Sequence, residues 1–396
     1  MKYLILSYYY KPDFSAGSFR SVALTNAMQD NDTIESAIVL TTQPQRYGHQ
    51  NDFVPNEKHG KITIVRFKTI THNSIFIKQI IAFLIYSIKS IFMGVKLARR
   101  YKIIFVTSSR LGSLILGYFL ACLLKKPFYV DIRDVFSDGI RTILSKNFIT
   151  DRVSKILHAI EIKIINRAAW VNFVSPGFKS YFSNKLLDGK TYLFSNGIDD
   201  IFIKNRKIIQ KGHKLTGNKL KIVYAGNIGY GQGLETIIPP LAKHFNNRIE
   251  FFIFGDGSSK RLIESEINKH GIKNIKITPP LKREQLLQHY YSADVLFLHL
   301  ADVPAYQKVL PSKLFEYGSF DIPILAGVKG VAKSFIKDNI SHSYVFDPGD
   351  VDKAIDHINS IMNDNSKINR ETFVRRYNRK DLMLKMVNSM QQYSNG

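Results

Sequence analysis

The chain has a single cysteine, Cys122, among its 396 residues. That excludes an internal disulfide and a cysteine-built metal site, and it suits a reducing compartment. The 11 histidines are scattered without zinc spacing, so no metal is expected. A literal Asp-x-Asp, Asp350-Val351-Asp352, follows Pro348-Gly349 at an expected helix start and reads as a cap. Carboxylates are scarce where they would matter most for charge balance. Between Lys58 and Val130 there are 13 basic residues and no acidic one. Residues 1–200 hold 27 Lys+Arg against 14 Asp+Glu, the remainder 29 against 18, and the net charge is +24. A charge of that size demands a partner. The basic stretch is also the most apolar part of the chain, which suggests an anionic membrane surface rather than nucleic acid.

Long unbroken apolar runs are missing too. The first residues, MKYLILSYYYKPD, are apolar for too short a distance to be a signal peptide, and a turn follows at once. They read as a first strand, and the protein is expected in the cytoplasm. Ile75 to Gly94 comes nearest to a membrane span but is broken by Lys78, Gln79 and Lys89. It reads as a core helix, as a helix lying in the plane of a membrane, or as a span; Lys89 near its centre argues against the last. Leu111–Leu124, ending in Lys125-Lys126, carries the same ambiguity.

A glycine-rich loop, GNIGYGQG, follows an apolar strand that ends at Ala225. Gly226 and Gly231 have the spacing of a nucleotide-triphosphate loop, but Gln232-Gly233 stands where Lys-Ser/Thr is obligatory. The dinucleotide glycine signature is also incomplete. These departures exclude an NTPase and a dehydrogenase.

What remains is a regular alternation. Apolar strands are expected at Tyr3–Tyr9, Ala37–Thr41, Ile62–Phe67, Ile103–Thr107 and Phe128–Asp131, with VNFVS closing the first half. Further strands are expected before Gly226 and Gly255, at Ile275–Thr278, from Ala293 and at Ile322–Ala326, with helices between them. Strand–helix alternation over this length implies α/β architecture and doubly wound parallel sheets in two domains. The boundaries read as 1–198, a Lys-rich linker at 199–219, a second domain at 220–375, and a C-terminal helix at 376–396.

The stretch KVLPSKLFEYGSFDIPILAG, Lys308 to Gly327, concentrates the chemistry. Pro311 is expected at a first helical position, with the Ser312 hydroxyl beside it, and such a start favours an anion. Lys308, Lys313 and Glu316 lie within two turns of it. Two ammonium groups and a carboxylate suit a sugar-nucleotide, and the same pattern suits a buried helix with a few surface charges.

This stretch resembles the donor-binding helix of the family 4 retaining glycosyltransferases, enzymes with two Rossmann-like domains facing across a cleft (the GT-B type). Glu316 matches the second Glu of that family's paired glutamates, the one that binds the nucleotide ribose. Lys308 stands where the first is usual. The wording PSKLFEY resembles a bacterial subgroup that builds O-antigens and capsules, often with N-acetyl-6-deoxyhexosamines such as L-FucNAc. The resemblance covers nearly the whole chain and implies donor contacts from Gly17 and Arg20 (the Gly-x-x-Arg of the first domain), Gly255, Asp256 and Leu281, besides Pro311, Ser312 and Lys313. Most of the family has Arg and Lys where Asn227 and Gln232 stand. Those two supply hydrogen bonds without charge, so Lys308, with Lys313, is inferred to replace the missing cation. Arg133 and Asp134, in the loop DIRDVFSD, would orient the transferred sugar. His299 is expected to be packed rather than catalytic.

The resemblance implies a UDP-sugar donor, no cofactor and no metal. It further implies a polyprenyl-diphosphate-linked saccharide as acceptor, at the inner face of the bacterial cytoplasmic membrane, and no nucleic acid. The C-terminal helix would return to the first domain. Two other readings remain: a sugar-nucleotide epimerase or hydrolase on the same scaffold, and a non-catalytic basic protein that binds membrane or nucleic acid.

Overall fold

The computed structural model describes residues 1–13, 15–44, 53–70, 76–108, 110–143, 148–182, 189–206 and 219–392. The chain divides into two compact units, Met1–Asn196 with Lys380–Gly396, and Gly197–Arg379. Each is built on a parallel sheet with helices between its strands, so the fold is α/β with two Rossmann-like units.

The first unit contains β1 (Lys2–Leu6), β2 (Ser36–Thr42), β3 (Glu57–His59), β4 (Ile62–Phe67), β5 (Ile103–Ser108), β6 (Phe128–Ile132), β7 (Trp170–Phe173) and β8 (Thr191–Tyr192). Their order is β3-β4-β2-β1-β5-β6-β7-β8, and only β3 runs antiparallel to its neighbour. Every residue of β5, β6 and β7 is buried. Strands covered on both faces need continuous apolar runs, which is what IIFV, FYV and WVNF supply. The edge strand β3, Glu-Lys-His, is short and charged, and so discourages pairing with another sheet.

The C-terminal helix Arg379–Gln391 belongs to this unit from Lys380 onward. Met383, Met386, Val387 and Met390 recur at helical spacing and join a core that includes Tyr3, Tyr129 and Trp170. The Trp170 indole N–H donates to Ser389 Oγ at 3.1 Å, and the Tyr129 hydroxyl to the Met390 carbonyl at 3.1 Å.

The second unit contains β9 (Leu220–Ala225), β10 (Ile249–Phe254), β11 (Ile275–Thr278), β12 (Val295–His299), β13 (Ile324–Gly327) and β14 (Ser343–Phe346). They are all parallel, in the order β11-β10-β9-β12-β13-β14. Strand order reverses between β9 and β12, the place where open α/β sheets leave a crevice at their carboxyl ends. In the first unit the corresponding reversal lies between β1 and β5.

Several expected boundaries shift for local reasons. β1 ends at Leu6 rather than Tyr9. The helix expected near Leu234 starts at Ile238, after two 3₁₀ turns, because Pro239 and Pro240 lack N–H groups and fit only a first turn. Pro311 caps its helix in extended conformation, one position before the first helical residue Ser312. Asp350 caps the helix Val351–Asn363 through its Oδ1, which accepts from the Lys353 N–H at 2.9 Å. Of the expected linker, Asp200–Lys204 is a short helix and residues 207–218 lie outside the described residues.

One ion pair ties the first unit together beneath β1 and β6. Arg20 Nε and Nη2 donate to the two oxygens of Asp131 at 2.7 and 3.0 Å, with both side chains 2% exposed. The same guanidinium donates to the Ser195 and Phe194 carbonyls, and Asn172 Nδ2 donates to Asp131 Oδ1 at 2.7 Å. Removing one member strands a buried charge, which costs about 3–5 kcal/mol. Asp131→Ala should therefore lower the unfolding free energy of this unit by about that amount in urea titrations, whereas Lys2→Ala, at an exposed pair with Glu35, should leave it nearly unchanged.

Candidate functional site

The second unit gathers its polar residues at the carboxyl ends of β9, β10 and β12. The loop after β9 and the loop after β10 cross at their glycines. A Cβ on Gly255 would stand 1.9 Å from the Gly226 carbonyl oxygen. Only glycine permits that approach. The crossing is sewn by Gly226 N–H to Phe254 O at 2.8 Å, Ile228 N–H to Asp256 O at 2.9 Å, and Ser259 N–H to Ile228 O at 2.9 Å.

Onto this crossing the helix Ser312–Gly318 lays Lys313, with Glu316 one turn on. A Cβ on Gly226 would meet the Lys313 Cε at 2.4 Å, so the lysine stem lies flat on the bare glycine backbone. Its ammonium stands 3.9 Å from Glu316 Oε1. Burial lowers the Lys313 pKa; Glu316 opposes that, and Arg283 adds to it. Glu316 in turn accepts a short hydrogen bond from the Tyr290 hydroxyl. Burial and the nearby Glu316 push the Tyr290 and Tyr317 phenols well above their ordinary range. Tyr317 thus stays a neutral phenol, and its oxygen accepts the Ala225 N–H at 3.1 Å.

His299, at the end of β12, braces the loop from the other side. Gly349 N–H donates to its Nε2 at 3.1 Å, which leaves Nδ1–H to donate to the Gln232 carbonyl at 2.6 Å. Burial lowers its pKa to about 4, with the bond to Gln232 opposing. The ring is a neutral strut.

In the first unit, a Cβ on Gly17 would stand 2.6 Å from Arg133 Nη1, so these two expected residues do meet. The Arg133 N–H donates to Ser108 Oγ at 3.4 Å, and Val135 N–H to Asp134 Oδ1 at 2.9 Å. Surrounding protein raises the Asp134 pKa, against Val135 and Arg133, but its side chain reaches water, which limits the rise. Behind the loop lies Glu161, buried and accepting from Phe136 N–H at 2.9 Å and from the Ser137 hydroxyl. Desolvation pushes its carboxyl up to about 7, against those hydrogen bonds.

The structure thus brings Lys313, Glu316, Asn227, Gln232, Gly255 and Asp256 together, and Gly17 with Arg133 and Asp134. Four of the expected residues have local partners or places of their own in the structure. Arg20, expected at the donor, is turned inward and bound to Asp131 and to two backbone carbonyls. Asn227 and Gln232, expected to face a ligand, bond each other: Asn227 Nδ2 and the Gly229 N–H both donate to Gln232 Oε1, at 3.0 and 3.1 Å. Lys308, expected to be the principal cation, closes the 3₁₀ turn Pro304–Lys308, while Lys313 lies against the glycine loop. Leu281 packs partly buried against the unit's core, Asp256 is exposed and accepts from Gly257 N–H at 2.9 Å, and Pro311 and Ser312 are half-buried at the helix start. Sequence reasoning missed Tyr290, Tyr317 and Glu161. A tyrosine or glutamate inside a helix of mixed polar and apolar residues gives no periodic sign that it supports a site.

Residues 205–380 match the model of the family described as glycosyl transferases group 1. That match falls almost wholly within the second unit. The Escherichia coli (strain K12) protein WcaI, named as a glycosyl transferase of colanic acid biosynthesis, is 33% identical over 100 residues. That match spans 25% of this chain and 24% of WcaI, about a quarter of that relative's length. Among solved structures, Anabaena HepE in complex with UDP and glucose is similar with a TM-score of 0.70, at 15% identity over 99% of each chain. Sucrose-phosphate synthase from Thermosynechococcus elongatus has a TM-score of 0.76, at 14% identity over 99% of this chain and 98% of its own. These two likenesses establish a shared fold.

Two buried groups, His299 and Glu161, contribute to stability with opposite pH dependence. His299 takes a proton near pH 6.5 when unfolded but only near 4 when folded, so acidification from pH 7 to 4 favours the unfolded second unit by about 3 kcal/mol. Glu161 ionises near 4.5 when unfolded and near 7 when folded, so its stabilisation is complete below pH 4.5 and is lost as pH rises through 7. Urea titrations at pH 4, 5.5 and 7 should show His299→Gln with a flatter acid slope than wild type, and Glu161→Gln without the loss toward neutral pH.

Proposed function

We propose that the chain is a retaining glycosyltransferase that takes a UDP-sugar and transfers the sugar to a lipid-linked saccharide, with the diphosphate held beside Lys313. The observation that carries this reading is the seating of Lys313 on the Gly226–Gly255 crossing with Glu316 beside it, at strand ends within the stretch that the group 1 family model matches. A partly desolvated ammonium with one carboxylate 3.9 Å away is poised for a further anion. UDP is the favoured nucleotide because HepE, similar over the whole chain, binds it.

In this reading Lys313 and Lys308 stabilise the departing diphosphate, and Glu316, held by Tyr290, binds the ribose hydroxyls. Arg133 and Asp134 orient the reacting sugar. The acceptor hydroxyl attacks the anomeric carbon on the face from which the diphosphate leaves. The new C–O bond forms as the old one breaks, and a leaving phosphate oxygen takes the hydroxyl proton. The first unit then needs no dedicated base, and catalysis rests on charge stabilisation and positioning. The wording PSKLFEY supports an N-acetyl-6-deoxyhexosamine such as L-FucNAc as the sugar. It also supports a polyprenyl-diphosphate-linked acceptor of O-antigen or capsule assembly.

Thermal shifts with UDP, GDP, ADP, TDP and CMP test the donor class, since a ligand specific for the folded state raises the melting temperature. UDP alone should stabilise the protein. Lys313→Ala should weaken UDP binding on the order of 10–100-fold, the value of one charge-assisted contact. Lys308→Ala should lower turnover more than it weakens UDP binding. Stabilisation by none of the five nucleotides would overturn the reading.

A further inference from the structure

Three neighbouring helices of the first unit turn large apolar side chains to solvent. On Phe76–Lys96 these are Ile77, Ile80, Leu84, Ile88, Phe92 and Val95, and Ile77 and Phe92 are 68% and 69% exposed. Leu111–Leu124 adds Ile115, Phe119 and Leu123, and Phe148–Arg167 adds Ile149, Val153 and Ile156, with Ile149 71% exposed. Single exposed apolar residues need no explanation, but stripes on adjacent helices do. The helices pack directly. A Cβ on Gly112 would stand 2.3 Å from the Phe83 ring, and one on Gly94 would touch Leu120 at 3.3 Å. Arg167 Nη1 donates to the Tyr118 hydroxyl at 3.2 Å, which joins the third helix to the second.

The helix Ile77–Lys96 is long and apolar enough to cross a membrane by length and composition. Its other face is committed elsewhere: Ala82, Tyr86 and Ser90 are buried, and the Tyr86 hydroxyl donates to the Leu40 carbonyl of β2 at 3.0 Å. It lies along the sheet, so only its outer stripe is open to a partner. Lys78, Lys89 and Lys96 are exposed and spaced eleven and seven residues apart. At 3.6 residues per turn they fall within about 20° of one line, roughly 100° round from the middle of the apolar stripe. Arg99, Arg100, Lys125, Arg152 and Lys155 are also exposed around the face. The first two helices contain no acid, and on the third Asp151 is exposed while Glu161 is buried.

Apolar side chains in the centre with lysines along one flank fit a headgroup layer: the stripe enters the acyl boundary, and the ammonium groups stop at the phosphates. A second copy of the chain fits poorly, because a two-fold contact would set the same basic residues against each other. We propose that this three-helix face docks the protein in the plane of an anionic lipid bilayer. Docking needs no sugar-nucleotide, so its test stands apart from that of the transfer reaction.

The test is co-sedimentation of the purified chain with vesicles of phosphatidylcholine alone or with about 30% phosphatidylglycerol, at low and high salt, beside sedimentation velocity without lipid. Binding should require the anionic lipid and weaken with salt. The triple substitution Lys78→Gln, Lys89→Gln, Lys96→Gln should weaken binding on the order of 100-fold, from the attraction each lysine makes near the surface. Ile88→Glu with Phe92→Glu should abolish binding while leaving the melting temperature within a few degrees of wild type, since both positions are exposed. Absent or lipid-independent binding would overturn the proposal. So would a dimer that Phe92→Glu dissociates, which would give the face to a second copy.

Discussion

The second unit depends on a backbone crossing in which one side chain too many cannot be accommodated. Gly255 meets the Gly226 carbonyl, and the stem of Lys313 lies on Gly226 from the other side. Because these contacts are backbone on backbone and stem on backbone, they place an ammonium group within reach of a loop of amide N–H groups. The loop itself carries no charge. Asn227 and Gln232 stand where cations are usual in the resembling family, and they close on each other. Lys313, from the short helix that follows β12, lies on that loop.

Support for that arrangement runs outward through neutral groups. The His299 ring bridges Gln232 and Gly349 and is kept neutral by burial. Tyr290 and Tyr317 remain phenols because ionisation beside Glu316 inside the protein is unfavourable. Nearby, Asp199 pairs with Arg283 at 2.5 Å and with Arg379, where Ile198 and Asn378 form a parallel bridge. The Asn-Gly-x-Asp turn at 196–199 therefore secures the segment from which the C-terminal helix departs. In the first unit Arg20 and Asp131 do comparable work: a guanidinium matching the family's Gly-x-x-Arg serves as a buried brace.

Much of the architecture was legible in the sequence because parallel strands covered on both faces must be continuous apolar runs. IIFV, IVYA and VLFL could hardly be anything else. The glycine loop and PSKLFEY were legible for a similar reason, since glycines at strand ends and a proline before a helix mark positions of unusual backbone. Boundaries slipped where one residue's covalent geometry overrode the pattern, as at Pro239 and Pro240. Side-chain destinations were less legible. Arg20 was placed at the donor on the strength of resemblance, and nothing in its neighbours told that Asp131, over a hundred residues on, pairs with it, or that Lys313 would lie on the glycine loop.

The sequence by itself determined two α/β units, an acid-free basic and apolar stretch, and a charged helix start beside a glycine loop. It could do so because burial and backbone strain leave periodic or compositional marks. Only the tertiary structure decided which cation lies on the glycines, which arginine is spent as a brace, and which sides of three helices stay open. It also added the helix 148–167, outside the acid-free stretch, to the same exposed face. Those outcomes depend on distances between residues far apart in the chain, and packing sets such distances without leaving a signal in any single segment.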